Sequence, residues 1–369
     1  MRFKATILVV AFLFFASAGL VMAERRDSPG AVYTATNAAA GNEVLAFSRS
    51  ADGSLTPAGS FATGGLGAGP DIGLGNQGGL LLTPDNQWLY VVNAGSDTIS
   101  VFKVKPNSLE LVGSFDSRGK LPVSLTVDGD LLYVLNAGGT VGGSDNITGF
   151  IIEPDGELQP LAGSTQPLSI LNTSPAQIEF STDGNVLVVT EKGTSIIDTY
   201  VVDDDGLAGP PNVFASAGTV PFGFSFSKRN RLFVSEAGTS SASSYQVYPD
   251  GTLNVISPAV PIGQAGVCWL VVTKNGRYAY TTNAGSGTIS GFNIDRDGTL
   301  SLLEDGFPAD AIGGVIDEAL SNDSRYLYAL SSSAGTIFGF QVGSDGGLTR
   351  VSEIDLPEKV TTANGLAAR

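Results

Sequence analysis

The chain has 369 residues, a net charge of -16, one cysteine and no histidine. The missing histidine excludes serine–histidine and cysteine–histidine catalysis, a histidine general base and histidine-ligated zinc or iron. The single cysteine allows no intrachain disulfide, and the acidic balance repels phosphate backbones, so nucleic acid is not an expected partner.

Residues 1–23 read as a signal peptide. Arg2 and Lys4 give a charged start, Ala5 to Val21 is apolar, and Val21-Met22-Ala23 offers a small-residue cleavage pattern. The run is short for a membrane span, so no membrane attachment is expected after its removal. This predicts a secreted protein, extracellular or periplasmic, with residues 24–29 as a short leader and 30–369 as one domain.

From there the chain repeats one phrase, an aliphatic residue followed three positions later by an aromatic. It occurs at Val44 and Phe47, Ile99 and Phe102, Ile147 and Phe150, Ile197 and Tyr200, Ile289 and Phe292, and Ile337 and Phe340. Ala242 and Tyr245 are a weaker copy. The copies stand roughly 45–55 residues apart, the period of a β-propeller blade, and seven copies predict seven blades in an all-β fold.

Gly64 to Asp71 is glycine-rich and leads into the second blade; it reads as a long connection or a flap, without the Gly-Lys-Ser/Thr ending of a phosphate loop. Gly79 to Leu82 is an unalternating apolar strand, as expected of an inner strand packed on both sides. Trp88 to Val92, Thr98 to Val104 and Leu109 to Phe115 follow as the second, third and outer strands. Asp-Gly pairs at 52–53, 155–156, 205–206, 250–251, 297–298 and 345–346 punctuate the later hairpins, where a positive φ is needed. Cys268 lies in the apolar phrase from Gly266 to Val272 and reads as a buried small hydrophobe.

Inner strands are expected to begin near Gly79, Pro122, Pro175, Pro221, Gly266, Gly314 and Asn364. The last has nothing after it, while the first repeat lacks an inner strand. The C-terminal strand therefore joins the N-terminal blade and closes the ring, removing an open sheet edge.

In such a ring two sets of loops share one face around the channel mouth. The loops into the inner strands supply Gln77, Ser124, Gln177, Gln264, Asp317 and Asn364; the loops after the second strands begin at Asn93, Asn136, Glu191, Glu236, Asn283 and Ser331. Amides, hydroxyls and carboxylates around a mouth suit a small polar ligand. The asparagines read as turn caps. Glu191 and Glu236 are poor turn formers in an asparagine position, and they are the candidate catalytic groups.

Val188-Val189-Thr190-Glu191-Lys192-Gly193-Thr194, within the phrase from Ser174 to Tyr200, together with Leu89-Tyr90-Val91-Val92-Asn93-Ala94-Gly95, resembles the lactonase-type seven-bladed propellers. That family includes bacterial phosphogluconolactonase-like proteins and fungal carboxymuconate cyclases. The resemblance implies a Gly-Pro-Arg-His segment at the start of an inner strand, then a strand ending in Asn-Glu. Here those positions read Ser174-Pro175-Ala176-Gln177 and Thr190-Glu191. Arginine, which would clamp a carboxylate, is replaced by Ala176, and histidine, which would move a proton, by Gln177.

Three readings follow. The protein opens or closes a lactone ring with Glu191 as acid or base, Gln177 orienting the carbonyl and Lys192 as charge partner. It is instead a non-catalytic extracellular propeller binding a sugar, wall polymer or protein. Or Glu191 and Glu236 run an unrelated reaction. The partner is a small molecule or an extracellular carbohydrate, no cofactor or metal is called for, and the chain is expected to be a monomer. Sequons begin at Asn146, Asn172 and Asn322.

Overall fold

The structure is a computed structural model that describes residues 29–72, 74–106, 108–303, 309–310 and 313–369. The signal-peptide and leader assignments fall on residues 1–29, of which 1–28 lie outside the described residues.

The described residues form seven antiparallel sheets in a ring. Blade 4 shows the plan: inner strand Pro175–Phe180, then Val186–Glu191, Ile196–Val201 and outer strand Asn212–Ala215. The other inner strands are Leu80–Leu82 in blade 2, Pro122–Asp128 in blade 3, Pro221–Ser227 in blade 5, Val267–Val272 in blade 6 and Val315–Leu320 in blade 7. Blade 1 is built from Gly30–Ala35, Glu43–Arg49 and Leu55–Ala62, with Asn364–Ala368 as its inner strand. That last strand pairs antiparallel with Gly30–Ala35, Val32 opposite Ala368, so the two ends of the described chain close the ring.

The repeated aromatics explain why the ring holds together. Phe47, Phe102, Phe150, Tyr200, Tyr245, Phe292 and Phe340 are each buried in an apolar cluster shared with the preceding blade. Phe150, for example, packs with Tyr90 and Val101 of blade 2. Among the described residues there is no single central core; the apolar surface is buried between neighbouring blades, the arrangement a radial repeat requires.

The Asp-Gly turns carry a second tie. Gly206 has φ +80, and its carbonyl accepts the Tyr133 hydroxyl of blade 3 at 2.8 Å. Tyr280 bonds Gly346 and Tyr328 bonds Gly53 in the same way, both at 2.8 Å. A turn of fixed geometry thus docks blades 4, 7 and 1 on a tyrosine of the blade before, while Gly251 and Gly298 accept from Thr199 and Ser244 instead.

Candidate functional site

An inner strand has a partner on one side only, so its channel-side N–H and C=O groups need other partners. Side chains from elsewhere around the channel supply them. Ser124 Oγ accepts the Ile178 N–H at 3.1 Å, and Thr126 Oγ1 accepts that of Phe180 at 3.0 Å. Gln177 accepts from Phe224 N–H at 2.7 Å and donates to its carbonyl at 2.9 Å. Gln77 treats Leu270 likewise, at 3.0 and 2.8 Å. Asp317 accepts from the backbone N–H groups of Glu318, Gly365 and Leu366. The structure therefore gathers Gln77, Ser124, Gln177 and Asp317 around one channel, with their polar atoms bonded to neighbouring strand edges.

Residues Leu74 to Gln77, at the end of the glycine-rich connection, cross one mouth of that channel and close it. Asn364 of blade 1 donates to Leu74 O at 3.3 Å and to Asn76 Oδ1 at 3.0 Å. Asn76 donates to Val123 O of blade 3, and Gln77 N–H donates to Ala176 O of blade 4 at 3.1 Å. The Trp269 indole of blade 6 donates to Asn76 O at 2.8 Å. Lys192 Nζ donates to the carbonyls of Gly75 and Pro175 and lies 5.0 Å over the Phe222 ring. Burial lowers its pKa to about 8 and pushes the nearby Cys268 thiol up to about 11. Beneath this cap Ala176, Phe222 and Trp269 form an apolar cluster, the two rings 4.9 Å apart. The segment can lie this close because Gly78 turns at φ +79, where a Cβ would stand 2.9 Å from Ser124 Oγ.

Glu191 and Glu236 occupy the position held by Asn93, Asn136 and Asn283 in other blades, the end of the second strand. Asn93 joins the incoming connection through Thr63 Oγ1 at 2.8 Å and its own third strand through Ser100 Oγ at 2.7 Å. Glu191 makes the equivalent joins. It accepts from Ser169 N–H at 2.9 Å, from Ser169 Oγ at 2.5 Å and from Thr194 Oγ1. In place of Ser100, blade 4 carries Asp198, which accepts the same Ser169 N–H at 3.1 Å. Burial, and then Glu191 beside it, pushes the Asp198 carboxyl up to about 8. Glu236 accepts from Ser216 Oγ at 2.7 Å and Tyr245 OH at 3.2 Å, and burial raises its pKa. Gln264 accepts from Thr288 Oγ1 at 3.2 Å on the rim of blade 6. Glu191, Glu236, Lys192 and Gln264 are not among the residues lining the channel cavity described next.

The channel stays hollow beyond the glutamine layer. A cavity of about 430 Å³ runs from Gln77 and Gln177 to the hairpin turns at Thr83, Thr182 and Asn322, on the face opposite the cap. Its wall carries carboxyl groups absent from the candidates read in the sequence. Glu179, half-buried, accepts from Gln177 Nε2 at 3.1 Å and from Phe226 N–H, and burial pushes it up to about 8. Glu318 is 2 % exposed, and among the described residues neither of its carboxyl oxygens has a hydrogen-bond partner. Burial, reinforced by Asp317, raises it well above the carboxylate range, and burial raises Asp317 likewise. Among the described residues no lysine or arginine lines the cavity. The signal was present in the sequence: Ile178-Glu179-Phe180 and Ile316-Asp317-Glu318-Ala319 put charges into strands expected to be apolar throughout. Among the described residues no group of three or more Cys, Asp or Glu is placed to hold a metal ion, and no helix is long and apolar enough to cross a membrane.

Residues 40–167 match the family model described as lactonase, 7-bladed beta-propeller. Over that stretch the chain is similar to the lactonase-type propellers. Its fold is similar to that of the periplasmic gluconolactonase of Pseudomonas aeruginosa, with a TM-score of 0.72 at 16% identity, covering 92% of this chain and 99% of that one. A protein from Lactobacillus plantarum gives 0.74 at 17% identity, covering 93% and 100%. Virginiamycin B lyase from Staphylococcus aureus gives 0.56 at 12% identity, covering 80% and 89%. At these identities the likeness is one of fold, and the fold alone carries more than one chemistry. No curated protein matches the chain.

Proposed function

We propose that this lactonase-type propeller takes a small, uncharged, hydroxyl-rich lactone into the channel from the hairpin face and opens its ring. The observation that carries the reading is Glu179, held near pKa 8 on the wall of a 430 Å³ cavity. A carboxyl with that pKa exchanges a proton near neutral pH, which is what a general acid–base group must do. As carboxylate it takes a proton from water, whose oxygen adds to the lactone carbonyl; the ring C–O bond then breaks and the proton passes to the leaving ring oxygen. The product is a hydroxy acid. Gln177, bonded to Glu179, orients that carboxyl.

The substrate class follows from charge. A phosphorylated lactone would bring its negative charge into a carboxyl-walled cavity with no cation among its described lining residues, so the uncharged lactone is preferred. The charged start and apolar run of residues 1–23 support export. Base uptake measured against the uncatalysed rate, with uncharged and phosphorylated sugar lactones, tests the reading. The catalysed rate should rise through about pH 8 and favour the uncharged lactones; a rate indifferent to pH between about 6 and 9 would contradict Glu179 as base.

A second reading is favoured by Gln177, both of whose amide atoms are occupied by Phe224 where the family's histidine would stand. It is a propeller that binds such a ligand without turning it over. Calorimetric binding with no base uptake would establish it.

A further inference from the structure

The hairpin face carries a second concavity, of opposite charge. A cleft of about 520 Å³ lies between the inner hairpins of blades 6 and 7 and the last turn of blade 7. Lys274, Arg277, Tyr278, Asp323, Arg325 and Ser344 contribute to its lining. It adjoins the channel mouth along both hairpins. Val271 and Asn322 line the cavity, and Lys274 and Asp323, three residues and one residue further on, line the cleft.

Acids outnumber bases 36 to 20 in this chain, so three cations facing one carboxylate is a local reversal. The carboxylate, Asp323, stands 3.9 Å from Arg325 Nε and accepts Ser321 Oγ at 2.8 Å and Arg325 N–H at 3.1 Å. Arg277 is positioned by its neighbour. Its guanidinium lies 5.2 Å over the Tyr278 ring and donates to the Tyr278 hydroxyl at 3.2 Å. That hydroxyl in turn donates to Ser344 O at 2.8 Å, across the cleft's own turn. The backbone at Lys274 is pinned by its N–H to Ser324 Oγ at 2.9 Å. Lys274 and Arg277 are both exposed, and neither has a carboxylate for a partner among the described residues.

We propose that this cleft is a binding site for a small oxyanion, a carboxylate or phosphate group held by Lys274 and Arg277. A guanidinium fixed on a ring offers its donors without losing further freedom, and its fork fits a carboxylate or phosphate edge. The anion is small because a long polyanion is disfavoured by the chain's net charge of -16. The hydroxy carboxylate made by opening a lactone has this chemistry, and that link rests on the reading given above. Formed beside Glu179, Asp317 and Glu318, such a product finds no cation among the described lining residues of the cavity, and the nearest positive field lies at its mouth.

The test is calorimetric titration at low ionic strength with inorganic phosphate and, separately, with D-gluconate. Wild type is compared with Lys274→Gln/Arg277→Gln and with Lys274→Gln alone, each checked for unchanged thermal unfolding. The double variant should bind at least tenfold more weakly and the single variant severalfold, with wild-type affinity falling as salt is added. Phosphate bound without gluconate supports the oxyanion site and removes its link to a lactone product. Equal affinity in wild type and variants, or no binding of either anion by wild type, overturns the site. If the double variant fails to fold, the single variant carries the same comparison.

Discussion

Asp198 and Glu191 show how one substitution changes the physics of a repeated position. Where blade 2 uses Ser100 beside Asn93, a neutral hydrogen-bonded pair, blade 4 buries two carboxyls within reach of one amide, Ser169 N–H. The folded protein keeps a proton on Asp198 up to about pH 8, while the unfolded chain sheds it near the ordinary 3.8. The native state therefore binds more protons between those values, and this group's contribution to stability falls as pH rises from about 4 to 8, then levels off. Asp198→Asn removes that loss. Urea unfolding should show the variant gaining on wild type by a few kcal/mol across that window. A difference independent of pH would contradict the buried, protonated carboxyl. The sequence marked Glu191 and Glu236 as departures from asparagine, and the structure gives both the same joining work as the residues they replace. Glu179 was readable in principle, as a charge in an apolar strand. Its importance depended on knowing which side of the inner strand faces the channel, and a one-residue bulge between Pro175 and Gln177 sets that side.

Strands and turns were more readable than side-chain direction, because a period of about 48 residues repeats seven times and each repeat constrains the others. The aliphatic–aromatic phrase located the third strand of every blade, and the aromatics proved to face the preceding blade. The fate of the glycine-rich connection was not readable. Its bonds run to blades 1, 3, 4 and 6, partners that no local pattern announces. The closing strand was readable from arithmetic on the repeats. Beyond its pairing, Thr34 Oγ1 donates to Gly365 O at 2.7 Å and Arg49 Nε to Arg369 O at 3.0 Å. Deleting residues after Val360 strips blade 1 of its inner strand, exposes the Gly30–Ala35 edge and uncovers the apolar surface that Leu366 and Ala367 cover. The expected cost is several kcal/mol, seen as a large fall in Tm. A Tm matching the full chain would contradict closure.

The molecule as a whole is two-faced. The loops after the second strands, where the resemblance to lactonases directs attention, meet a channel mouth shut by the chain's own Leu74 to Gln77. The opposite face holds the cavity and the cationic cleft beside it. Repeats made the ring readable, but which mouth is open depends on a single non-repeating segment. The missing arginine and histidine fit this reversal, since Ala176 packs in the apolar cap and Gln177 ties two inner strands together. Base uptake on an uncharged sugar lactone, run side by side for wild type, Glu179→Gln and Glu191→Gln, tests this most directly. Glu179→Gln should lose about 10²–10⁴-fold and Glu191→Gln should change little. The reverse pattern would put the chemistry at the rim of blade 4 and contradict a site in the channel.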